Sequence, residues 1–189
     1  MKKALNKTDA VRIFDAATMG RALRRIAHEI IERNPELASV VLAGIPSRGV
    51  EIARRIAGII ESLGKTVIET GVIDVSMHRD DVGTRGALPV VRASQLPLPL
   101  DRRTVVIVDD VLFTGRTCRA AMDAISSFGR PACLQLAALI DRGHRELPIR
   151  PDFVGKNLPT ARAERVRVRL EEIDQEPDGV WLLKPEKNE

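Results

Sequence analysis

Apolar residues change their spacing along the chain in a way that marks alternating helices and strands. Three segments place apolar residues on one side at helical spacing, as an amphipathic helix does: residues 15–33, 50–63 and 116–128. Short continuous apolar runs, typical of strands buried on both faces of a parallel sheet, cover residues 39–43, 104–109 and 132–140. Strand–loop–helix units in this order predict an α/β domain with a mainly parallel, twisted sheet flanked by helices.

The segments between these elements carry weaker patterns. Residues 66–77 have the β-branched content of an extended segment, and residues 165–170 alternate arginine with apolar residues as an exposed strand does. Residues 78–103 contain several glycines and prolines without a period and are predicted to be mostly loop, and residues 141–160 are predicted to be irregular. We expect one domain spanning residues 1–189, with a long functional and mobile loop at residues 78–92.

Composition narrows the class of protein without deciding the function. No apolar run approaches the roughly 20 residues of a membrane helix. Cys118 and Cys133 form neither a CxxC pair nor a disulfide framework, which predicts a soluble protein of the reducing cytoplasm, with no membrane partner. The formal net charge of +4 is compatible with a phosphate-rich small substrate and with a nucleic acid.

The strongest chemical pattern is a strand that ends in two carboxylates and leads into a helix. Residues 105–117 read VVIVDDVLFTGRT. A helix N-terminus offers unpaired N–H groups to a phosphate, Gly115 lets the backbone curl close to it, and the flanking threonines add hydroxyl donors. Asp109 and Asp110 can accept hydrogen bonds from the hydroxyls of a ribose. Two acids alone would fit a polar strand exit beside a helix cap, but the whole pattern indicates a ribose 5-phosphate site.

A second glycine-bounded loop, residues 44–49, follows the neighbouring predicted strand. Its two glycines have the Walker-A spacing, but Val50-Glu51 stands where the phosphate-binding Lys-Ser/Thr pair is needed, and no Gly-x-Gly occurs in the chain. A kinase or a dehydrogenase is therefore disfavoured. The loop offers Arg48 and backbone N–H groups, which suits an anion, although a tight turn with a solvated arginine would be the default explanation if the loop stood alone.

Taken together, these motifs resemble a known enzyme family. Residues 105–117 resemble the phosphoribosyl pyrophosphate (PRPP) signature of type I phosphoribosyltransferases, and residues 44–49 resemble their pyrophosphate loop. Beyond the two loops, a set of segments resembles the bifunctional pyrimidine-operon attenuator/uracil phosphoribosyltransferase family from about Ala22 to Asp174: Arg25–Glu29, Asp74, Arg79–Asp81, Asp141–Arg150 and Val154–Asn157. The Asp141–Arg150 segment is the most specific after the PRPP loop.

The resemblance implies a type I phosphoribosyltransferase-like fold with a small hood formed by the terminal segments, and a reaction of uracil with PRPP and Mg²⁺ to give UMP and pyrophosphate. It implies these catalytic residues: Arg48, Arg79, Asp109 and Asp110. It implies these PRPP-binding residues: Ser47, Arg48, Gly49, Asp109, Asp110, Val111, Leu112, Phe113, Thr114, Gly115, Arg116 and Thr117. It implies these uracil-binding residues: Phe113, Ile140, Asp141 and Arg142. Mg²⁺ is expected to arrive with PRPP, its protein ligands unassigned, and residues 78–92 to close over the site as a lid.

A second function is implied by the same resemblance, namely UMP-responsive binding of the pyrimidine-operon mRNA leader by a homodimer or a higher homo-oligomer. Its candidate contacts are basic: Arg21, Arg24, Arg25, His28, Arg145, Arg150 and Lys156. Solvated surface would also explain a basic helix face. The aromatic share of 3%, with no tyrosine, removes the usual stacking platforms for RNA bases.

Three positions depart from the patterns of related families. Phe113 stands where purine phosphoribosyltransferases typically have Asp and where the attenuator family usually has Tyr; His78 also replaces a Tyr, and Ala161-Arg-Ala163 replaces Ser-x-Ser. Phe113 offers the base no proton acceptor, which disfavours a purine substrate. Two alternatives to the uracil enzyme stay open at this point: an RNA-binding attenuator with little turnover, and a purine phosphoribosyltransferase.

Overall fold

The computed structural model describes residues 10–76 and 94–185. Its elements follow in chain order: β1 Ala10–Phe14, α1 Ala16–Arg33, β2 Val40–Gly44, α2 Arg48–Ser62, β3 Glu69–Val72, β4 Thr104–Leu112, α3 Arg116–Ser126, β5 Cys133–Asp141, β6 Phe153–Asn157, β7 Arg165–Arg169, α4 Glu171–Asp174 and β8 Gly179–Leu183. A short 3₁₀ turn, Leu37–Ser39, precedes β2. None of the described helices is long and apolar enough to cross a bilayer.

The main sheet is parallel throughout, in the order β3-β2-β4-β5-β6. Successive residues of a strand face opposite sides of a sheet, and β4 shows this directly. Val106 and Val108 pack into the core layer that contains α1 and α2, whereas Val105 and Ile107 pack into the layer that contains α3. Both faces of β4 are therefore buried, which explains its continuous apolar run and confirms the predicted architecture.

Strand β1 and the later strands β7 and β8 form a second, antiparallel sheet in the order β1-β8-β7. One face of this sheet contributes Phe14, Val168 and Val180 to the core layer of α1 and α2. The small hood implied by the family resemblance is thus present, and burial of its apolar face fastens it to the main domain.

Several boundaries differ from the sequence-based expectation. Helix α2 begins at Arg48 rather than at residue 50, and β4 continues through Asp109 and Asp110 to Leu112 rather than ending at residue 109. Of the segment predicted to be extended, residues 66–76 are described, and among them the strand covers Glu69–Val72. The expected lid at residues 78–92 lies outside the described residues, as do Arg79 and His78.

The expectation that residues 141–160 are irregular is wrong, because this segment contains β6. Phe153 is buried and Val154 half-buried, and both pair with β5, whereas Lys156 and Asn157 are exposed. An edge strand needs only part of its length to be apolar, so β6 lacks the continuous run that predicts a central strand.

Candidate active site

Two loops meet at the carboxyl edge of the main sheet. Strands β2 and β4 are parallel neighbours in the register Gly44↔Val108, and the Ile45 N–H donates to the Val108 carbonyl at 2.9 Å. The turn that follows β2 therefore lies directly beside the end of β4. In open parallel sheets, ligands bind beyond the carboxyl ends of the strands, so this junction is the candidate site.

The approach of the two loops requires glycine at two positions. A Cβ on Gly49 would lie 2.3 Å from the Val108 carbonyl oxygen, and a Cβ on Gly44 would lie 2.4 Å from the Val50 Cα. Both distances are far shorter than non-bonded atoms allow. The first turn of α2, which carries Arg48, is consequently packed against the end of β4. The Pro46–Ser47 peptide bond in the same turn is cis.

Asp109 and Asp110 are adjacent acidic residues near the carboxyl end of β4. Each carboxylate accepts a hydrogen bond from the next backbone N–H, from Asp110 and from Val111 respectively, at 2.9 Å. Burial raises the pKa of Asp110 above its ordinary value, and the positive charge of Arg48 offsets that rise only in part. The two loops thus interact electrostatically as well as sterically.

Arg48 bridges the main domain and the hood. Its Nη2 donates to Asp174 Oδ1 of α4 at 2.8 Å, while its Nε is buried and has no hydrogen-bond partner in the chain as described. Asp174 carried no local motif by which sequence reasoning could have found it, since 126 residues separate it from Arg48.

The turn between β4 and α3 has the geometry of a phosphate loop. Gly115, the N-cap of α3, adopts φ = 92°, a left-handed conformation that favours glycine. Helix α3 begins at the next residue, so the N–H groups of its first turn open toward this turn. Sequence reasoning placed this helix start correctly, because the Gly and the apolar periodicity are local signals.

Residues 142–147 form hydrogen bonds to the turn between β4 and α3, which we call the phosphate loop. The backbone N–H of Arg142 donates to the Leu112 carbonyl at 3.1 Å, and the N–H of Glu146 donates to the Thr114 carbonyl at 3.0 Å. The Arg145 guanidinium donates to the Phe113 carbonyl at 2.7 Å. These bonds satisfy loop carbonyls, so the loop is pre-shaped by the segment that follows β5.

Two side chains contact the ring of Phe113, which is predicted to bind uracil: Arg142, also predicted to bind uracil, and His144. The Arg142 guanidinium lies 4.2 Å from the centre of the Phe113 ring, a cation–π contact, and its Nε donates to Thr160 Oγ1 at 3.2 Å. The His144 ring meets Phe113 edge-on at 5.7 Å, and its Nε2 donates to the Thr160 carbonyl at 2.6 Å. Sequence reasoning missed His144 as a ring contact and Thr160 as its anchor.

The other two predicted base contacts are adjacent but differ in exposure. Ile140 is fully buried in β5, so its side chain belongs to the core. The Asp141 carboxylate accepts hydrogen bonds from the Gly143 N–H at 3.0 Å and from Arg145 Nη2 at 2.6 Å. Asp141 therefore shapes the turn after β5.

Six of the seven predicted RNA contacts are exposed, and they lie in two places. Four lie exposed on α1: Arg21, Arg24, Arg25 and His28. Arg25 donates to the carbonyls of Val154 and Gly155 at 2.9 and 2.6 Å, which places this face beside β6 and its exposed Lys156. Arg150 is exposed but precedes β6, toward the opposite end of that strand.

Arg145 differs from the other predicted RNA contacts. Besides Asp141 and Phe113, its guanidinium donates to the Ile149 carbonyl at 2.8 Å, and the side chain is only 21% exposed. The Arg145 guanidinium donates its hydrogen bonds to residues that form and support the phosphate loop. It is therefore not oriented toward solvent as a cation for RNA.

No group of three or more His, Cys, Asp and Glu side chains is placed to hold a metal ion within residues 10–76 and 94–185. The site instead offers the carboxylates of Asp109 and Asp110. Such a donor set fits Mg²⁺, which typically uses one or two protein carboxylates together with substrate phosphates.

Comparison with known proteins agrees with this geometry. Residues 10–171 match the family model described as phosphoribosyl transferase domain. The chain is 57% identical over 177 residues to the bifunctional protein PyrR of Chloroflexus aurantiacus, covering 94% of this chain and 97% of that protein. It is 55% identical over 172 residues to the bifunctional protein PyrR of a Roseiflexus species, covering 91% and 94%.

Solved structures of lower identity share the fold. A hypoxanthine phosphoribosyltransferase from Staphylococcus aureus aligns with a TM-score of 0.70 at 17% identity, covering 100% of both chains. An HGPRT-ase from Leishmania tarentolae in complex with GMP aligns with a TM-score of 0.71 at 16% identity, covering 96% of this chain and 99% of that one. The type I phosphoribosyltransferase fold is thereby confirmed, and the chain belongs to the phosphoribosyl transferase domain family and, within it, to the bifunctional PyrR proteins.

Proposed function

We propose that the chain is a uracil phosphoribosyltransferase that converts uracil and PRPP to UMP and pyrophosphate, and that it also regulates pyrimidine-operon transcription by binding the mRNA leader. Membership of the bifunctional PyrR family supports both roles. The observation that carries the enzymatic role is the junction of the two loops. One short edge of the sheet brings together the Asp109–Asp110 pair, the Gly115 turn and Arg48.

Each part of PRPP has a matching group at this edge. Within the predicted PRPP-binding residues 111–117, the 5-phosphate binds N–H groups of the turn that leads from the end of β4 into α3. The ribose hydroxyls donate to Asp109 and Asp110. The pyrophosphate lies at residues 47–49, where Arg48 supplies a cation. Arg79 and residues 78–92 complete the proposal as a second cation and a lid that excludes water.

The contribution of the chain to this reaction is electrostatic stabilisation, without a covalent bond between protein and substrate. A bond forms between uracil N1 and the anomeric carbon as the bond from that carbon to the pyrophosphate oxygen breaks, and the proton lost from N1 is taken up by the departing pyrophosphate. Positive charge grows on the sugar, where Asp109 and Asp110 stabilise it, and negative charge grows on the leaving group, where Arg48 stabilises it. Mg²⁺ bound with PRPP supplies further charge neutralisation to the pyrophosphate.

The choice of base follows from the cluster behind the phosphate loop. Phe113, covered by Arg142, presents an apolar ring where a purine enzyme has a carboxylate. Uracil would lie beside Phe113 and the turn after β5, with backbone groups of Ile140, Asp141 and Arg142 reading its polar edge. This arrangement favours uracil over hypoxanthine.

A steady-state assay with PRPP, Mg²⁺ and either uracil or hypoxanthine tests the enzymatic role. We expect UMP formation and no detectable IMP. Replacing Asp109 with Asn should lower kcat/KM by about 100-fold, a typical loss for one electrostatic contact to the transition state. Turnover of hypoxanthine in preference to uracil would refute the base assignment, and the absence of turnover with either base would leave only the regulatory role.

The regulatory role rests on the exposed basic face of α1 together with Lys156 of β6. We propose that this face binds RNA phosphates in a cytoplasmic homodimer or higher homo-oligomer, and that UMP strengthens binding. Retention of the pyrimidine-operon leader should fall steeply with salt, because binding releases counterions. Sedimentation measurements would show whether the protein is a homodimer or a higher homo-oligomer. Salt-insensitive retention, or retention that UMP leaves unchanged, would contradict this role.

A further inference from the structure

The short helix α4 of the hood is fastened across the beginning of α2 by ion pairs. Arg48 binds Asp174 at 2.8 Å, and Arg55, about two turns further along α2, binds Glu172 at 2.5 Å and Asp178 at 2.6 Å. Only the first of these pairs involves a residue of the proposed pyrophosphate site. Among the ion pairs of the described residues, the one formed by Asp174 links the hood to that site.

Asp174 is held in place from two directions. Its Oδ2 accepts from the Leu170 N–H at 3.0 Å, and its Oδ1 accepts from Arg48 Nη2 at 2.8 Å. Burial raises the pKa of Asp174, but the Leu170 amide and the Arg48 guanidinium outweigh burial and lower it below its ordinary value. Asp174 is thus an ionised counter-ion for Arg48 at neutral pH.

Asp174 binds only part of the hydrogen-bonding edge of the Arg48 guanidinium. A guanidinium binds an oxyanion best through two parallel N–H groups, for which Nε and Nη2 form one edge. Asp174 takes Nη2 with one oxygen, and Nε is buried without a hydrogen-bond partner among the residues described. A buried donor left unpaired is unfavourable. A phosphate that accepts from both N–H groups would satisfy Arg48 better than Asp174 does.

We propose that Asp174 is a positioning residue that holds Arg48 in the ligand-free protein and releases it to the pyrophosphate of PRPP. The proposal rests on the proposed function, in which Arg48 binds that group. Because the carboxylate competes with the ligand for one guanidinium, Asp174 weakens the affinity of the site for pyrophosphate. It also links occupancy of the site to the docking of α4.

Calorimetric titration with Mg²⁺–pyrophosphate and with Mg²⁺–PRPP tests the competition. Asp174→Asn removes the charge and keeps the volume, and we expect both ligands to bind about three- to tenfold more tightly, the range for loss of a partly exposed competing charge. Asp174→Glu retains the charge and should restore affinity toward that of the unmodified protein. Glu172→Gln, the control, loosens α4 through Arg55 alone and should leave affinity unchanged.

Two further measurements separate this positioning role from a structural one: steady-state kinetics, and the same titrations in a protein that already carries Arg48→Ala. Asp174→Asn should lower the KM for PRPP with little change in kcat, and its effect on affinity should vanish when Arg48 is already replaced by Ala. Asp174→Ala repeats the test should the Asn variant not fold. Unchanged or weaker binding in a folded Asp174→Asn or Asp174→Ala variant, or an effect of either variant that persists without Arg48, overturns the proposal. Failure of the unmodified protein to bind either ligand would instead overturn the proposed function.

Discussion

Gly49→Ala tests whether close packing of α2 on β4 positions the proposed active site. The added Cβ would lie 2.3 Å from the Val108 carbonyl oxygen, whereas Cβ contacts below 3.0 Å are essentially never seen. The obstructing atom belongs to the backbone of a central strand, which pairs on both sides and cannot rotate away. The start of α2 must therefore move outward by at least about 0.7 Å, the difference between those distances.

That displacement carries Arg48 away from Asp110. A misplacement of about 1 Å in a reacting group can cost about 100-fold in rate, so we expect kcat/KM for PRPP to fall by about 30- to 100-fold. Overpacking of a well-packed site typically costs about 1–3 kcal/mol of stability. For a chain of this size, each kcal/mol lowers Tm by about 2–4 °C.

Gly58→Ala is the matched control, since it places the same methyl group in the same helix. A Cβ on Gly58 meets nothing within 4 Å, and the residue is exposed. Replacing a helical glycine with alanine typically stabilises by about 0.5–1 kcal/mol, so activity should be unchanged and Tm slightly raised. If Gly49→Ala retained activity within about twofold of the control, the proposed dependence of the Arg48 position on this packing would be refuted.

Three further predictions concern charges. Because burial raises the pKa of Asp110, the acid limb of the kcat/KM profile should lie above the ordinary carboxylate range and disappear in Asp110→Asn. Arg55→Ala should cost about 1–2 kcal/mol of stability at pH 7. Arg55 lowers the pKa of Glu172. Burial raises the pKa of Asp178, but Arg55 and the Glu171 N–H together outweigh burial and lower it. The contribution of Arg55 should therefore persist above the ordinary pKa values of 4.5 and 3.8 and be lost as pH falls below them, which chemical denaturation across pH would report. Arg24→Gln should reduce the slope of log affinity for RNA against log salt by about one, and an unchanged slope would exclude that contact.

The elements that sequence predicted well are those whose signal is local. Helix α1 matches its predicted span because Asp15 caps it, accepting from the Thr18 N–H at 2.8 Å, and Asn34-Pro35 ends it. Strand β6 was missed because half of it is exposed at the sheet edge. Pairing with β5, a non-local event, makes that segment a strand.

Sequence alone determined the order of the central elements from α1 to β5, the β4–α3 motif and the family it indicates. These features depend on residues within a few positions of one another, where period, caps and turn residues act directly. Tertiary structure decided which distant groups meet: Asp174 at Arg48, and Thr160 at Arg142 and His144. Such contacts form only when sheet pairing and core burial have brought separate segments together, because no short stretch of chain encodes the distance between them.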